Sequence, residues 1–456
     1  MKNNEMDLLS GSIGDKTLKF ALPLAATGIL QQLFNAADIA VVGNFVGSDA
    51  MGAVGANVPL INLIISLFIG ISVGANVVIA RYTGLRNDKA VNKSVHTSLL
   101  FAVICGVILT IICEVLSGTI LGKMNLDSNI YPLSLKYFRV YCLGIPVILL
   151  YDFSSAVFRS RGNTRTPLIC LVTSGVINVL LNLFFVIVMK MSVSGVALAT
   201  AISNLISSAL LIFFLIKDTS AIHFSVKKLG IDGKMLKQMI QIGLPAGFQG
   251  MVFAISNIII QRSVNQFGGD VMAASSAAFN IEIFVYYILN AFGQACTTFV
   301  GQNYGAGKPE RCAKTLKVTL LQDAVFTVVA AVLILSLGKY LLPLFNKNPA
   351  VVKYGMIRLK FILLSEFLNV IIEILSGWMR GFGYSFIPAL ICIIGICGVR
   401  ITWVYTAFAS DKTFPRLMTA YPISWTVTAL GLIISYLYVR YYKLKGFFGR
   451  KNKTEA

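Results

Sequence analysis

One carboxylate sits where water is scarce. From Phe20 to Gly47 the chain reads FALPLAATGILQQLFNAADIAVVGNFVG, an apolar run long enough to cross a bilayer, and Asp38 is its sole ionisable residue. An ionised acid inside a spanning helix costs about 2.5–3.5 kcal/mol on insertion scales, so its default reading is a site for a cation or proton. The blander reading is an acid paired with a polar neighbour. Pro23 removes a backbone hydrogen bond near the start of the run and supplies a hinge. Six further acids fall within apolar stretches. Asp152 and Glu373 each precede an arginine, Arg159 or Arg380, by seven residues, close to two helical turns, so acid and base share a face. Each pair either compensates charge at the inner mouth of the membrane or draws a cationic substrate from the cytoplasm. Glu282 and Glu366 could face a cleft, whereas Glu114 and Asp323 are expected at interfaces. Tyr151, Phe279, Tyr286 and Tyr287 lie in the same runs, where their rings either face lipid or attract a cation.

Other chemistries lack their residues. There is no HExxH, GxSxG or Cys/His constellation within the apolar runs, so no enzyme is expected. The eight cysteines are scattered without a C-x-x-C pair and read as small core residues. His96 and His223 stand alone and are expected at the surface. No cofactor is expected, and no metal beyond sodium at Asp38.

The elements that must position these groups are membrane helices. Of 456 residues, 56% are hydrophobic and 13% charged, and the mean hydropathy is +0.78. Apolar runs of about 20 residues recur along the chain. Twelve spans can be drawn, from 17–43 to 415–440, including a fourth at 131–157 and a tenth at 354–379. The net charge of +20 could suggest nucleic acid, but the basic residues lie in alternate short loops. With the N-terminus inside, the cytoplasmic segments carry 26 of the 39 Lys and Arg, the outer ones 12, and Arg400 lies within a span. That bias predicts a multi-pass protein of the plasma membrane with both termini cytoplasmic. The polar start, Met1 to Lys16, is no secretory signal. Lys443, Lys445, Arg450, Lys451 and Lys453 form a basic tail suited to anionic lipid.

The chain also repeats itself at an offset of 221 residues. VGSDAMGA, with Gly47, Asp49 and Ala53, aligns with FGGDVMAA, with Gly268, Asp270 and Ala274. Gly84 matches Gly305, and Arg159, Gly162 and Pro167 match Arg380, Gly383 and Pro388. Ser203 matches Ser424 and Asp152 matches Glu373, while Pro23 and Pro245 correspond at an offset of 222. Six spans per half means that both halves enter from one face, giving parallel repeats. The predicted division is an N-terminal lobe at 1–216, a polar basic linker at 217–236, a C-terminal lobe at 237–445 and the tail at 446–456.

Two six-span repeats, the Leu22–Asp38 run, VGQNYGAG from Val300 to Gly307 and the paired R-x-x-G segments together resemble the multidrug and toxic compound extrusion (MATE) family over essentially the whole chain. The resemblance implies an all-α fold of twelve helices in two six-helix lobes, with cation-coupled export of organic cations from a central cavity. It also implies that the acid of the first helix binds the coupling proton or sodium with polar residues of the fifth and sixth helices. Asn178 and Asn182 in INVLLN match the fifth-helix positions and Thr200 the sixth. At 1.5 Å per residue the four fall at similar depth, and Asn178 and Asn182 at i, i+4 share a face. One carboxylate with amide and hydroxyl oxygens suits sodium, and a desolvated carboxylate can also carry a proton. Some sodium-coupled members carry an acid on the seventh helix; here that span offers Gln241, Gln249, Asn257, Gln261 and Arg262, which favours Asp38 as the ion site.

These readings combine into a monomeric antiporter that exports amphipathic cationic drugs or toxins in exchange for H+ or Na+. The nearest alternative is a lipid-linked oligosaccharide flippase of the same broad fold. Such a flippase would need basic residues for a pyrophosphate, and Arg400 and Arg262 are the exceptions among mostly acidic intramembrane charges. A channel is disfavoured because no pore-loop motif repeats.

Overall fold

The computed structural model describes residues 5–124 and 126–449. Arg450, Lys451 and Lys453 of the expected tail lie outside them. The chain is all helical, with no strand among the described residues. In order, the helices are α1 (Ile13–Phe45), α2 (Ser48–Gly84), α3 (Asp88–Gly122), α4 (Ile130–Leu143), α5 (Ile145–Ser160), α6 (Arg165–Leu183), α7 (Ser192–Lys217) and α8 (Gly233–Val264). They continue with α9 (Gly269–Gly305), α10 (Pro309–Leu341), α11 (Pro349–Gly381), α12 (Phe386–Cys392), α13 (Val399–Tyr405), α14 (Ala407–Ser410), α15 (Phe414–Met418) and α16 (Ala420–Tyr438).

Among the described residues ten helices are long and apolar enough to cross a membrane. An eleventh span is the pair α4 and α5, bent by 48°. The break falls at Gly144, and Pro146 just beyond it has no N–H to continue the helix. Helix α11 has 33 residues and carries Arg358, Lys360, Glu366 and Glu373, so its apolar character is diluted. With it the count reaches the twelve expected.

The repeat is visible in the backbone as well as in the letters. Gly47 and Gly268 have φ of 127° and 88°, and Gly162 and Gly383 have φ of 79° and 91°, values that favour glycine. The turns after α5 and α11 close alike. Gly162 N donates to Arg159 O at 2.9 Å, and Gly383 N to Arg380 O at 2.8 Å. Deep in each half one inter-helical bond recurs at the same offset: Asn76 Nδ2 to Ala156 O at 3.2 Å, and Thr297 Oγ1 to Gly377 O at 3.1 Å.

Two compact units result. One holds Ala26–Leu244 with the described residues of Met1–Asp7; the other holds Leu8–Ala25 with the described residues of Pro245–Ala456. Their borders depart from the division at 216 and 237. The linker and the start of α8 belong to the first unit, and the start of α1 to the second. In α1 the change of unit comes two residues after Pro23, and in α8 it comes at Pro245 itself. Both helices run unbroken through their prolines.

Each exchanged segment is held by specific contacts. In the first unit α8 crosses α2 backbone to backbone: a Cβ on Gly74 would stand 2.2 Å from Met239 O, and one on Gly243 2.5 Å from Ile71 Cα. In the second unit the VGQNYGAG turn and the start of α10 grip the segment before α1. Asn303 Nδ2 and Arg311 Nη2 donate to Leu8 O at 3.2 and 3.1 Å, and Arg311 also reaches Ser10 O and Gly11 O. Arg311 Nε is in turn fixed on Asn303 Oδ1 at 3.1 Å.

His96 corrects the expectation of a surface residue. It is buried, stacked on Phe224, with Nδ1 2.8 Å from Asn92 O and Nε2 3.1 Å from Ser225 N, so it docks the linker on α3. His223 is half-buried and caps the turn after α7 through Asp218 O. All eight cysteines are free, and all but Cys105 are buried.

Candidate functional site

A missing side chain sets the geometry. A Cβ on Gly175 of α6 would stand 1.9 Å from Phe34 Cε2 of α1, so the ring occupies space that only glycine leaves open. Asp38 lies one turn beyond Phe34; Asn178 and Asn182 lie about one and two turns beyond Gly175. Seating the ring therefore aligns the carboxylate with the two amides. The third wall comes from the return of the chain. Helix α6 ends in a π-helical stretch, Phe184–Val188, followed by Lys190 and Ser192 at φ of 54° and 56°. That turn sends α7 back along α6, placing Thr200 beside Asp38.

Asn182 Nδ2 donates to Asp38 Oδ1 at 2.5 Å and lies 3.2 Å from Asn178 Oδ1. The Thr200 hydroxyl is 3.2 Å from Asp38 Oδ2 and 3.0 Å from Val196 O, so its one proton is shared between two acceptors. Asn178 Nδ2 reaches Ser203 Oγ at 3.4 Å. Asp38 is 6% exposed and Asn182 fully buried. No lysine or arginine pairs with Asp38 among the described residues, whose four ion pairs lie elsewhere.

Charge and hydrogen bonds in this cluster do not balance. A carboxylate is buried without a cation, and Asn182 Oδ1 is a buried acceptor with no donor. Oxygens of Asp38, Asn178 and Thr200 gather around this cluster, with the Asn182 amide nitrogen turned to two of them; such oxygens are the donor type for a hard monovalent cation, and the carboxylate can equally take a proton. Sequence reasoning brought these four together but missed Ser203 as a member. The signal was there: Ser203 is three residues after Thr200, on the same face.

The remaining candidates fare differently. Asp152 and Tyr151 lie on α5, with Tyr151 buried and its hydroxyl unpartnered. Arg159 is the opposite charge acting on Asp152, and Arg380 the one acting on Glu373, yet neither pair closes to an ion pair among the described residues. Glu373 is packed against α9, where a Cβ on Gly293 would meet its Oε2 at 3.2 Å. Glu282 is not a free negative charge: Arg358 grips it with Nη2–Oε1 at 2.6 Å and Nε–Oε2 at 3.2 Å, both side chains buried. Glu366 forms no ion pair among the described residues, with Asn369 Nδ2 3.5 Å from Oε1 and no partner on Oε2. Asp323, expected at an interface, is fully buried beside Thr327. Of the aromatic residues, Phe279 is exposed, and Tyr286 and Tyr287 are half-buried with ring centroids 6.1 Å apart.

Comparison with known proteins follows the same lines. The family model described as MatE matches twice, over residues 23–184 and 245–406, each match opening on one of the paired prolines. A probable multidrug resistance protein, YoeA of Bacillus subtilis, is 27% identical over 428 residues, 92% of either chain. The probable multidrug resistance protein NorM of Thermotoga maritima is 26% identical, covering 88% of this chain and 86% of its own. Among solved structures, MATE in complex with MaL6 has a TM-score of 0.89 at 20% identity, covering 98% of this chain and 99% of its own. An outward-facing MATE family transporter has a TM-score of 0.88 at 19% identity over similar shares. With that model matched once in each half, this chain belongs to the MatE family of membrane transporters.

Proposed function

We propose that the protein is a secondary multidrug efflux antiporter that exports amphipathic organic cations in exchange for H+ or Na+. The observation that carries this reading is Asp38: a carboxylate buried in a spanning helix, held by Asn182 and Thr200 and left without a positive partner. Such a group is costly to keep ionised and is stabilised by whatever cation fills it. The relatives named for multidrug resistance support the substrate class.

Coupling then follows from differential binding. Ion entry at Asp38 stabilises one arrangement of α1 over another, and the change of unit just past Pro23 makes that helix the element able to respond. Drug affinity differs between the two arrangements, so ion flow inward drives drug outward. The chain acts as a monomer in the plasma membrane with both termini cytoplasmic, needs no cofactor and performs no covalent chemistry.

The test is reconstitution into vesicles with a fluorescent organic cation, imposing sodium and pH gradients separately. Cation movement driven by at least one gradient is expected. Vesicles that move lipid-linked sugar and no cation under either gradient would replace this reading with the flippase alternative.

A further inference from the structure

The second unit holds a guanidinium that nothing neutralises. Arg400 on α13 is 5% exposed and forms no ion pair among the described residues. Its Nε donates to Ser424 Oγ at 3.2 Å, and its Nη1 lies 3.3 Å from Asn257 Oδ1. Its carbon Cζ lies 4.2 Å from the centroid of the Tyr421 ring and 5.9 Å from that of Trp425. Its Nη2 meets no acceptor among the described residues. Both hydrogen-bond partners are neutral, so they hold the fork in place without cancelling its charge.

The neighbouring charges do not supply the missing anion. Arg358 lies 5.9 Å from the centroid of the same Tyr421 ring and is itself consumed by Glu282. Glu366 is the acid whose field reaches Arg400, yet its Oε2 is buried without any partner. An arginine fixed in a dry site by neutral groups is costly unless an anion completes it. Its planar fork matches a carboxylate or similar oxyanion.

The repeat says where this site belongs. At the 221-residue offset Thr200 corresponds to Tyr421 and Ser203 to Ser424, and Arg400 is one residue past the counterpart of Asn178. At the 222-residue offset of the prolines, Asn257 corresponds to Asn35 and Ile260 to Asp38. The cluster that holds an acid in one half thus holds a base in the other, on the span that corresponds to α6 and not on the one that corresponds to α1. Local packing builds it deliberately. A π-helical stretch, Ile393–Gly398, precedes α13, and a Cβ on Gly395 would lie 2.4 Å from Thr428 Oγ1, so only glycine lets this span press against α16 and bring Arg400 to Ser424.

We infer that Arg400, framed by Asn257, Ser424 and the face of Tyr421, binds a carboxylate or comparable oxyanion on a transported molecule. Joined to the export reading, on which the word "transported" rests, this makes zwitterions with an organic cation and a carboxylate a preferred substrate class.

The experiment uses the full chain in lipid nanodiscs without any ion gradient, titrated by fluorescence anisotropy with tetramethylrhodamine, which has a free carboxylate, and with its methyl ester. Wild type is expected to bind the acid more tightly than the ester. Arg400→Gln should weaken the acid about tenfold or more and leave the ester within about twofold. Arg400→Lys, which keeps the charge but not the fork, should fall between them, and it carries the test if the glutamine variant does not elute as a folded protein. Glu366→Gln should leave the preference for the acid intact or raise it. The inference is overturned if wild type shows no preference for the acid, if the arginine variants shift both probes alike, or if Glu366→Gln alone abolishes the preference. Because no gradient is applied, a chain that binds the acid through Arg400 but exports nothing would sink the export reading and leave this one standing.

Discussion

Phe34 lies in the space where residue 175 would carry a side chain, with its Cε2 1.9 Å from the position of a Cβ on Gly175. That overlap couples the packing of α1 on α6 to the placement of Asp38 one turn away. Gly175→Leu is therefore expected to cost about 1–3 kcal/mol of stability by overpacking and to abolish ion-driven export. Phe34→Ala in the same chain should recover most of the lost stability. A double-mutant cycle by thermal unfolding in detergent measures the coupling. Additive effects would show that the two positions do not share one space.

The two groups holding Asp38 are unequal. Asn182 gives it a fully committed N–H at 2.5 Å, whereas the Thr200 hydroxyl divides itself between Asp38 Oδ2 and Val196 O. A hydrogen bond to a charged group contributes about 1.5–3 kcal/mol. Under a sodium gradient Asn182→Leu, which also removes the unpartnered Oδ1 oxygen, should raise the sodium concentration for half-maximal export about tenfold or more, and Thr200→Val should raise it by less. A larger effect from Thr200→Val would reverse the assigned roles.

Arg358 and Glu282, both in the second unit, form the shortest of the four ion pairs among the described residues. Removing one partner strands the other, at a cost of about 3–5 kcal/mol. Glu282→Gln or Arg358→Met alone should lower the unfolding temperature sharply, and the combination of Glu282→Leu with Arg358→Met should recover much of the loss. If Glu282→Gln instead leaves stability intact and only weakens drug binding, Glu282 serves the substrate.

Much of this was legible in the letters, and what was not has physical causes. Asp38 stood out because an acid is expensive in an apolar run, and the amides followed from spacing on one helix face. The repeat was equally visible, and its glycines return in the structure with matching positive φ. Partners brought from distant helices were not legible: nothing local to Glu282 announces Arg358, 76 residues on. His96 failed for the same reason, since its partners lie on the linker, 129 residues away. The exchange of the first halves of α1 and α8 between units was also hidden, because each helix is unbroken in pattern through its proline.

At the end of the linker, Asp232 pairs with Lys93 at 3.2 Å and accepts the N–H groups of Lys234 and Met235 at the start of α8. Those hydrogen bonds, led by the one from Met235, hold its carboxyl below the ordinary aspartate range. A lowered value in the folded chain means that the contribution is present above the unfolded value, about 3.9, and is lost as pH falls through the folded one. Asp232→Asn should therefore speed amide exchange in the linker and the first turn of α8 at neutral pH. The difference from wild type should disappear in acid below that range. A difference that persists unchanged in acid would assign the effect to something other than this charge.

The account rests on Asp38 being filled and emptied by the coupling ion, and Asp38→Asn tests it with almost no change of shape. In reconstituted vesicles the variant should bind a fluorescent cation as wild type does at equilibrium, yet show no export when a sodium or proton gradient is applied. Gradient-driven export by Asp38→Asn at the wild-type rate would contradict it.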